Sequence, residues 1–133
     1  MTAATEFVVV TELTWSSPGL AGFVTMAPPI EARFGPPSAR DLDSNGLGLF
    51  DVRCLRFHCG LEVALWQFQR GDQLQEIDPA TEPSMFEIHA NQRDLAHIAF
   101  HLGVPIETMS AWTDQDGVSR VNATASRHRD ADR

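Results

Sequence analysis

The chain contains no lysine. Ten arginines stand against eighteen carboxylates, for a formal charge of -8 over 133 residues. A basic deficit of this size argues against a nucleic-acid binder, because affinity for phosphate backbones comes from dense basic patches. It leaves room for a basic protein partner steered in by an acidic face. The choice of arginine over lysine is in keeping with a GC-rich coding sequence.

Long apolar runs are also missing. No stretch approaches the roughly 18 residues of a membrane-spanning helix, so no membrane partner is expected. The first residues lack the basic patch and apolar stretch of a secretory signal, and a cytoplasmic location is the expectation. Cysteine is limited to Cys54 and Cys59, in keeping with a reducing compartment. Their C-x4-C spacing is not a common zinc knuckle. The alternation of both with charged residues places them on a core-facing side of a strand, where a free cysteine acts as a small hydrophobe. Asn45-Gly46-Leu47-Gly48 lacks the third glycine and the following helix of a phosphate loop. No cofactor is expected.

What remains is the profile of one soluble domain with an apolar share of 43 %, large enough to fold without staples. Phe7 to Val10 and Leu13 give a β-branched strand within Glu6 to Trp15, central or well covered. Ser17 as cap and Pro18 just inside tip the 18–26 segment toward a short helix. Residues 27–48 hold four prolines and three glycines. They read as a long irregular loop, equally a lid or a plain connector pinned by Ile30 and Phe34.

Leu49 to Gln69 carries the strongest sheet signal. Phe50, Val52 and Cys54 alternate with charged residues, and Leu55, Phe57 and Cys59 resume in the opposite phase, which predicts a bulge between Cys54 and Leu55. Gly60 marks a turn into Leu61, Val63 and Leu65. Arg70-Gly71-Asp72 is turn chemistry, before a weak strand around Leu74 to Ile77. Met85 to His89 is another strand. Asn91 caps the best helix, with Leu95, Ile98, Ala99 and Leu102 in one stripe and Gly103 and Pro105 as its stop. The predicted class is α+β: an antiparallel sheet of four to five strands with this main helix, 91–102, on one face, and the short 18–26 helix as a second. Residues 1–112 form the domain, with Trp112 near a last element, and 113–133 a polar, disordered tail.

Three functions fit. The first is a small acidic protein-binding module of the immunity or antitoxin type, which neutralises a basic partner such as a toxin. Asp41, Asp43, Asp51 and Glu62 would supply charge and Trp66, on the less buried sheet face, an aromatic anchor. The second is a non-catalytic subunit or ligand-binding regulatory domain that dimerises. The third is a small hydrolase or metal-dependent enzyme that uses Asp94, His97 and His101 on one helix face, or His58 with Glu62. Two histidines four apart can share a metal ion, but HExxH is absent and the face lies opposite the apolar stripe, so exposed histidines, no catalytic residue and no metal are the expectation.

Overall fold

The computed structural model describes residues 6–15, 17, 19–43, 48–71 and 75–111. The expected tail at 113–133, Trp112, Pro18, Leu74, Asp72 and the Asn45-Gly46-Leu47 stretch lie outside them. In chain order the elements are β1 (Phe7–Val10), β2 (Ala21–Met26), α1 (Ala27–Phe34), β3 (Ala39–Asp43), β4 (Leu49–Phe57), β5 (Glu62–Phe68), β6 (Pro83–Ala90), α2 (Leu95–Leu102), a 3-10 turn (Ile106–Thr108) and β7 (Ser110–Ala111). The α+β class holds. The sheet has seven antiparallel strands rather than four or five, in the order β1-β4-β5-β6-β2-β7. β3 shares with β1 the free edge of β4: β3 pairs near Phe50 and β1 between Cys54 and Phe57. No helix among the described residues is long and apolar enough to cross a membrane.

The two extra elements come from the segment read as a loop. Pro28 and Pro29 fall in the first turn of α1, where backbone N–H groups have no intrahelical partner to lose. Ala27, Ile30 and Phe34 then form a buried stripe at i, i+3 and i+7. Gly35, at φ +83°, ends the helix. β3 follows, with its register interrupted between Ala39 and Leu42, where Asp41 adopts φ +60°.

The 18–26 segment is a strand, not a helix. β2 pairs with β6 from Ala21↔Ile88 to Met26↔Pro83, and Phe23 stacks on Phe86 at 5.2 Å. Cross-strand packing outweighs the local Ser-Pro signal there. β1 is an edge strand, with Val8 and Val9 about half exposed (49 % and 50 %), rather than a central one.

No bulge divides β4. Its register with β5 runs unbroken from Phe50↔Phe68 to Arg56↔Glu62. The apparent change of phase arises because the strand is covered on both faces. Phe50, Val52 and Cys54 pack with Phe68 on one side. Leu55 and Phe57 join Val63, Leu65, Phe86 and Ile88 beneath both helices on the other. The helix side is the main core: Leu55, Val63, Leu65, Ile88 and Leu95 are fully buried, each contributing roughly 1.5–3 kcal/mol of transfer free energy.

α2 has the predicted stripe of Leu95, Ile98, Ala99 and Leu102, all buried. Its cap is Asp94, whose side chain accepts from the His97 N–H, three residues later than the expected Asn91. Gly103 closes it in the left-handed conformation at φ +72°.

Candidate metal centre

The turn between β4 and β5 carries His58, Cys59 and Gly60. Gly60 sits at φ +96°, a region that favours glycine. Its N–H donates to Phe57 O at 2.9 Å, and Phe57 N–H donates to Leu61 O at 2.8 Å. Asn91 holds the turn from outside. Its Nδ2 donates to Gly60 O at 3.0 Å, and its Oδ1 accepts from Glu62 N–H at 2.9 Å. Asn91 therefore braces the hairpin that presents Cys59, rather than capping the helix.

Cys59 is exposed, not core-facing as its alternation with charged residues predicted, because the strand ends at Phe57. Its Sγ lies 3.5 Å from His97 Nε2 and 3.4 Å from His101 Nε2. Among the described residues these three form the one group of three or more His, Cys, Asp or Glu side chains whose donor atoms all lie within 4.8 Å. Zinc bonds of about 2.3 Å to sulfur and about 2.0 Å to nitrogen, at the tetrahedral angle, separate S from N by about 3.5 Å. The cluster already has that spacing.

The two histidines are not equivalent. His97 is half-buried, while His101 is only 2 % exposed. A helical wheel at 100° per residue sets His101 about 60° from Ile98, at the border of the apolar stripe rather than opposite it. The flank is then closed by Phe57, whose ring meets His101 edge-on at 5.1 Å. His101 Nδ1 is 2.9 Å from His97 O. A carbonyl can only accept, so Nδ1 carries a proton, and in the neutral ring the lone pair then lies on Nε2, the atom nearest Cys59. This is the tautomer a metal ligand needs, set by a backbone partner as in many metal sites.

Asp94 does not join the group, since its carboxylate is engaged at the helix N-terminus. Nor do His58 and Glu62 converge. His58 Nδ1 is 3.8 Å from Glu6 Oε1. Glu62 accepts from Trp15 Nε1 at 2.6 Å and from Arg56 Nε at 2.7 Å, and these bonds, Arg56 first and Trp15 second, hold its carboxyl below the usual range. Cys54 is buried as expected. Burial, and then Glu12, push its thiol up, which keeps it an un-ionised hydrophobe.

The five residues expected to bind a partner occupy three places. Asp41 and Asp43 lie exposed on β3. Asp51 is buried on the helix side of β4, where Oδ1 accepts from Asp41 N–H and Gln69 Nε2, both at 3.0 Å. Glu62 projects from the opposite face, five residues further along β5 in the register of the pair, or about 17 Å. Trp66 is half-buried on that second face, stacked between Phe50 at 3.9 Å and His89 at 4.0 Å. It borders a 340 Å³ cleft with Trp15, Leu13, Cys54 and His89. His89 Nδ1 donates to Ser17 O at 2.9 Å. Its Nε2 is 2.8 Å from Glu87 Oε2, at an angle that does not make a hydrogen bond.

Spacing along the helix pointed to His97 and His101 but not to the third donor, which comes from a turn 38 residues before His97. The residues His58-Cys59-Gly60 held the only available signal, a cysteine in a hairpin turn. Comparison of the chain with protein-family models, with curated proteins and with solved structures returned no match.

Proposed function

We propose that this protein binds a divalent transition-metal ion through Cys59 Sγ, His97 Nε2 and His101 Nε2. The observation that carries this reading is the pair of S–N distances, 3.5 and 3.4 Å, which leaves little reorganisation to be done on loading. One thiolate and two imidazoles suit zinc, and three protein ligands leave one coordination position for water or an exogenous donor. Among the described residues no carboxylate belongs to the cluster, so the reading is metal binding with an open position rather than a hydrolytic centre with its own general base. Cobalt(II) titration tests it. One equivalent should give tetrahedral d–d bands and a thiolate-to-cobalt charge-transfer band, and Cys59→Ser should remove the latter. An octahedral spectrum, or one unchanged by Cys59→Ser, refutes it.

A second reading is the acidic module that neutralises a basic partner such as a toxin. It is favoured by the charge of -8 and by the β3 edge, where Asp41, Leu42 and Asp43 are all exposed beside exposed Leu49. Purification from the native host at low salt should then retain one stoichiometric basic protein that salt removes. Recovery with no such partner rejects it.

A further inference from the structure

Arg53 is 1 % exposed, the largest of the fully buried side chains. Its Nε donates to Gly35 O and its Nη1 to Gln67 Oε1, both at 2.8 Å. Gln67 Nε2 passes the chain on to Ser84 Oγ at 3.5 Å. Both acceptors of the guanidinium are neutral, although Gly35 O lies at the C-terminal end of α1, where the helix dipole is negative. Among the described residues no carboxylate stands within 4.0 Å of Arg53. Burial works against its charge, and Glu31 and Asp51 oppose that from longer range. Asp51 is already committed to Asp41, Gln69 and, at 3.7 Å, Arg40. Buried charges in proteins are ordinarily paired, and Nη2 is left without a partner among the described residues.

Beside Arg53 opens a cleft of 440 Å³ between α1 and β4. Its walls include Ala27, Pro28, Ala32 and Pro37, and its charged lining besides Arg53 is Arg40, Glu31 and Asp51, the last already holding Arg40 at 3.7 Å. Arg40 is well exposed and so stands toward the mouth. We propose that this cleft binds a small organic carboxylate, which pairs with Arg53 at depth and Arg40 at the mouth and rests its apolar body on the proline and alanine walls. The apolar lining gives an organic acid contacts that a bare inorganic anion cannot use. Glu31 and Asp51 on the wall disfavour a dianion such as phosphate, and Glu31 would accept from the ammonium of an α-amino acid. The site is independent of the cysteine–histidine cluster: Arg53 and Cys59 are six residues apart, Arg53 within β4 and Cys59 beyond its far end.

The test is an NMR titration of the full chain that follows the Arg53 Nε–Hε and Gln67 side-chain amide signals. The probes are butyrate, 2-aminobutyrate and inorganic phosphate. Butyrate or 2-aminobutyrate should shift both signals saturably at one equivalent, and the tighter of the two separates a plain acid from an amino acid. Ala32→Phe, at an exposed position of α1, should fill the cleft and abolish saturation while the fold persists. Arg40→Gln should weaken binding about threefold, as an exposed charge does. Arg53→Gln should abolish it, and if that variant fails to fold the other two decide. Shifts that stay linear for both organic acids, an unaltered titration in Ala32→Phe, or phosphate binding as tightly as butyrate would each overturn the proposal.

Discussion

Arg33, in the last turn of α1, donates from Nη2 to the main-chain oxygen of His101 in the last turn of α2, at 3.1 Å. The final carbonyls of a helix have no intrahelical donor and carry the negative end of its dipole. One side chain therefore satisfies a terminal carbonyl and ties two helices that share a core. It also steadies the backbone of the most buried proposed metal ligand. Arg33→Ala should lower stability by about 1 kcal/mol, read as a shift of the urea midpoint with unchanged slope. Arg33→Lys, which keeps a donor, should recover part of it.

Asn91 makes the corresponding link to the other side of the cluster. Asn91→Ala removes both contacts to the turn, to Gly60 O and Glu62 N–H, and frees the loop that carries Cys59. Loss of such outer partners commonly costs a metal site about tenfold or more in affinity. The cobalt affinity of Asn91→Ala should fall by about that factor while the helical circular dichroism stays unchanged. An unaltered affinity would mean that the turn is held by its backbone alone.

Much of the fold was legible in local pattern. Alternation in β5, the α2 stripe and the Gly103 stop all report one element packing on one surface. Two kinds of error arose where that condition fails. β4 is buried on both faces, so a change in which face carries the larger side chains imitated a bulge. Pro28 and Pro29 look like loop residues unless the helix begins one residue before them, and a helix start is set by context that the pattern does not carry. The grouping of Cys59, His97 and His101 needed information of a third kind. His97 and His101 are paired by helical spacing, but Cys59 reaches them only through the tertiary placement of a hairpin turn over α2. Likewise Asp51 and Glu62 both read as acidic rim residues, while the sheet sends one to each face.

Glu62 links the sheet's second face to solution pH. Its carboxyl is held low by Arg56 and then by Trp15, so the folded state binds its proton less readily than the unfolded chain. That contribution is fully present above the unfolded carboxylate value of about 4.3 and is lost as pH falls through the lower folded value. Glu62→Gln keeps an acceptor for Trp15 but not the charge. The stability difference between wild type and variant should be constant above about pH 6 and shrink steadily below about pH 4.3. Urea unfolding across that range measures it, and a difference that grows on acidification would contradict the assignment.

The edge and the centre of the sheet should respond unequally to truncation. Leu65, in β5, is fully buried between β4 and β6, and Leu65→Ala should cost about 3 kcal/mol through lost transfer and a residual cavity. Val9 pairs with Leu55 at the β1 edge but is half exposed. Val9→Thr keeps the β-branched shape and should cost less than about 0.5 kcal/mol. Comparable losses at the two sites would mean that β1 is covered in solution by something other than the described residues.

Metal loading should be visible in stability as well as in spectra. A ligand that binds only the folded state stabilises it by about 2.7 kcal/mol at a hundredfold excess over its Kd. For a domain of this length that corresponds to a rise in Tm of roughly 10 °C. Zinc should therefore raise Tm by about this much, EDTA should reverse the gain, and His101→Ala or Cys59→Ser should abolish it. Binding must also displace the thiol proton, so the gain should decline as pH is lowered toward 5. His101 is buried against Phe57, and its loss will itself lower the metal-free Tm. The decisive comparison is therefore the zinc-dependent increment within each variant. An increment that survives in exposed Cys59→Ser would place the metal elsewhere on the chain.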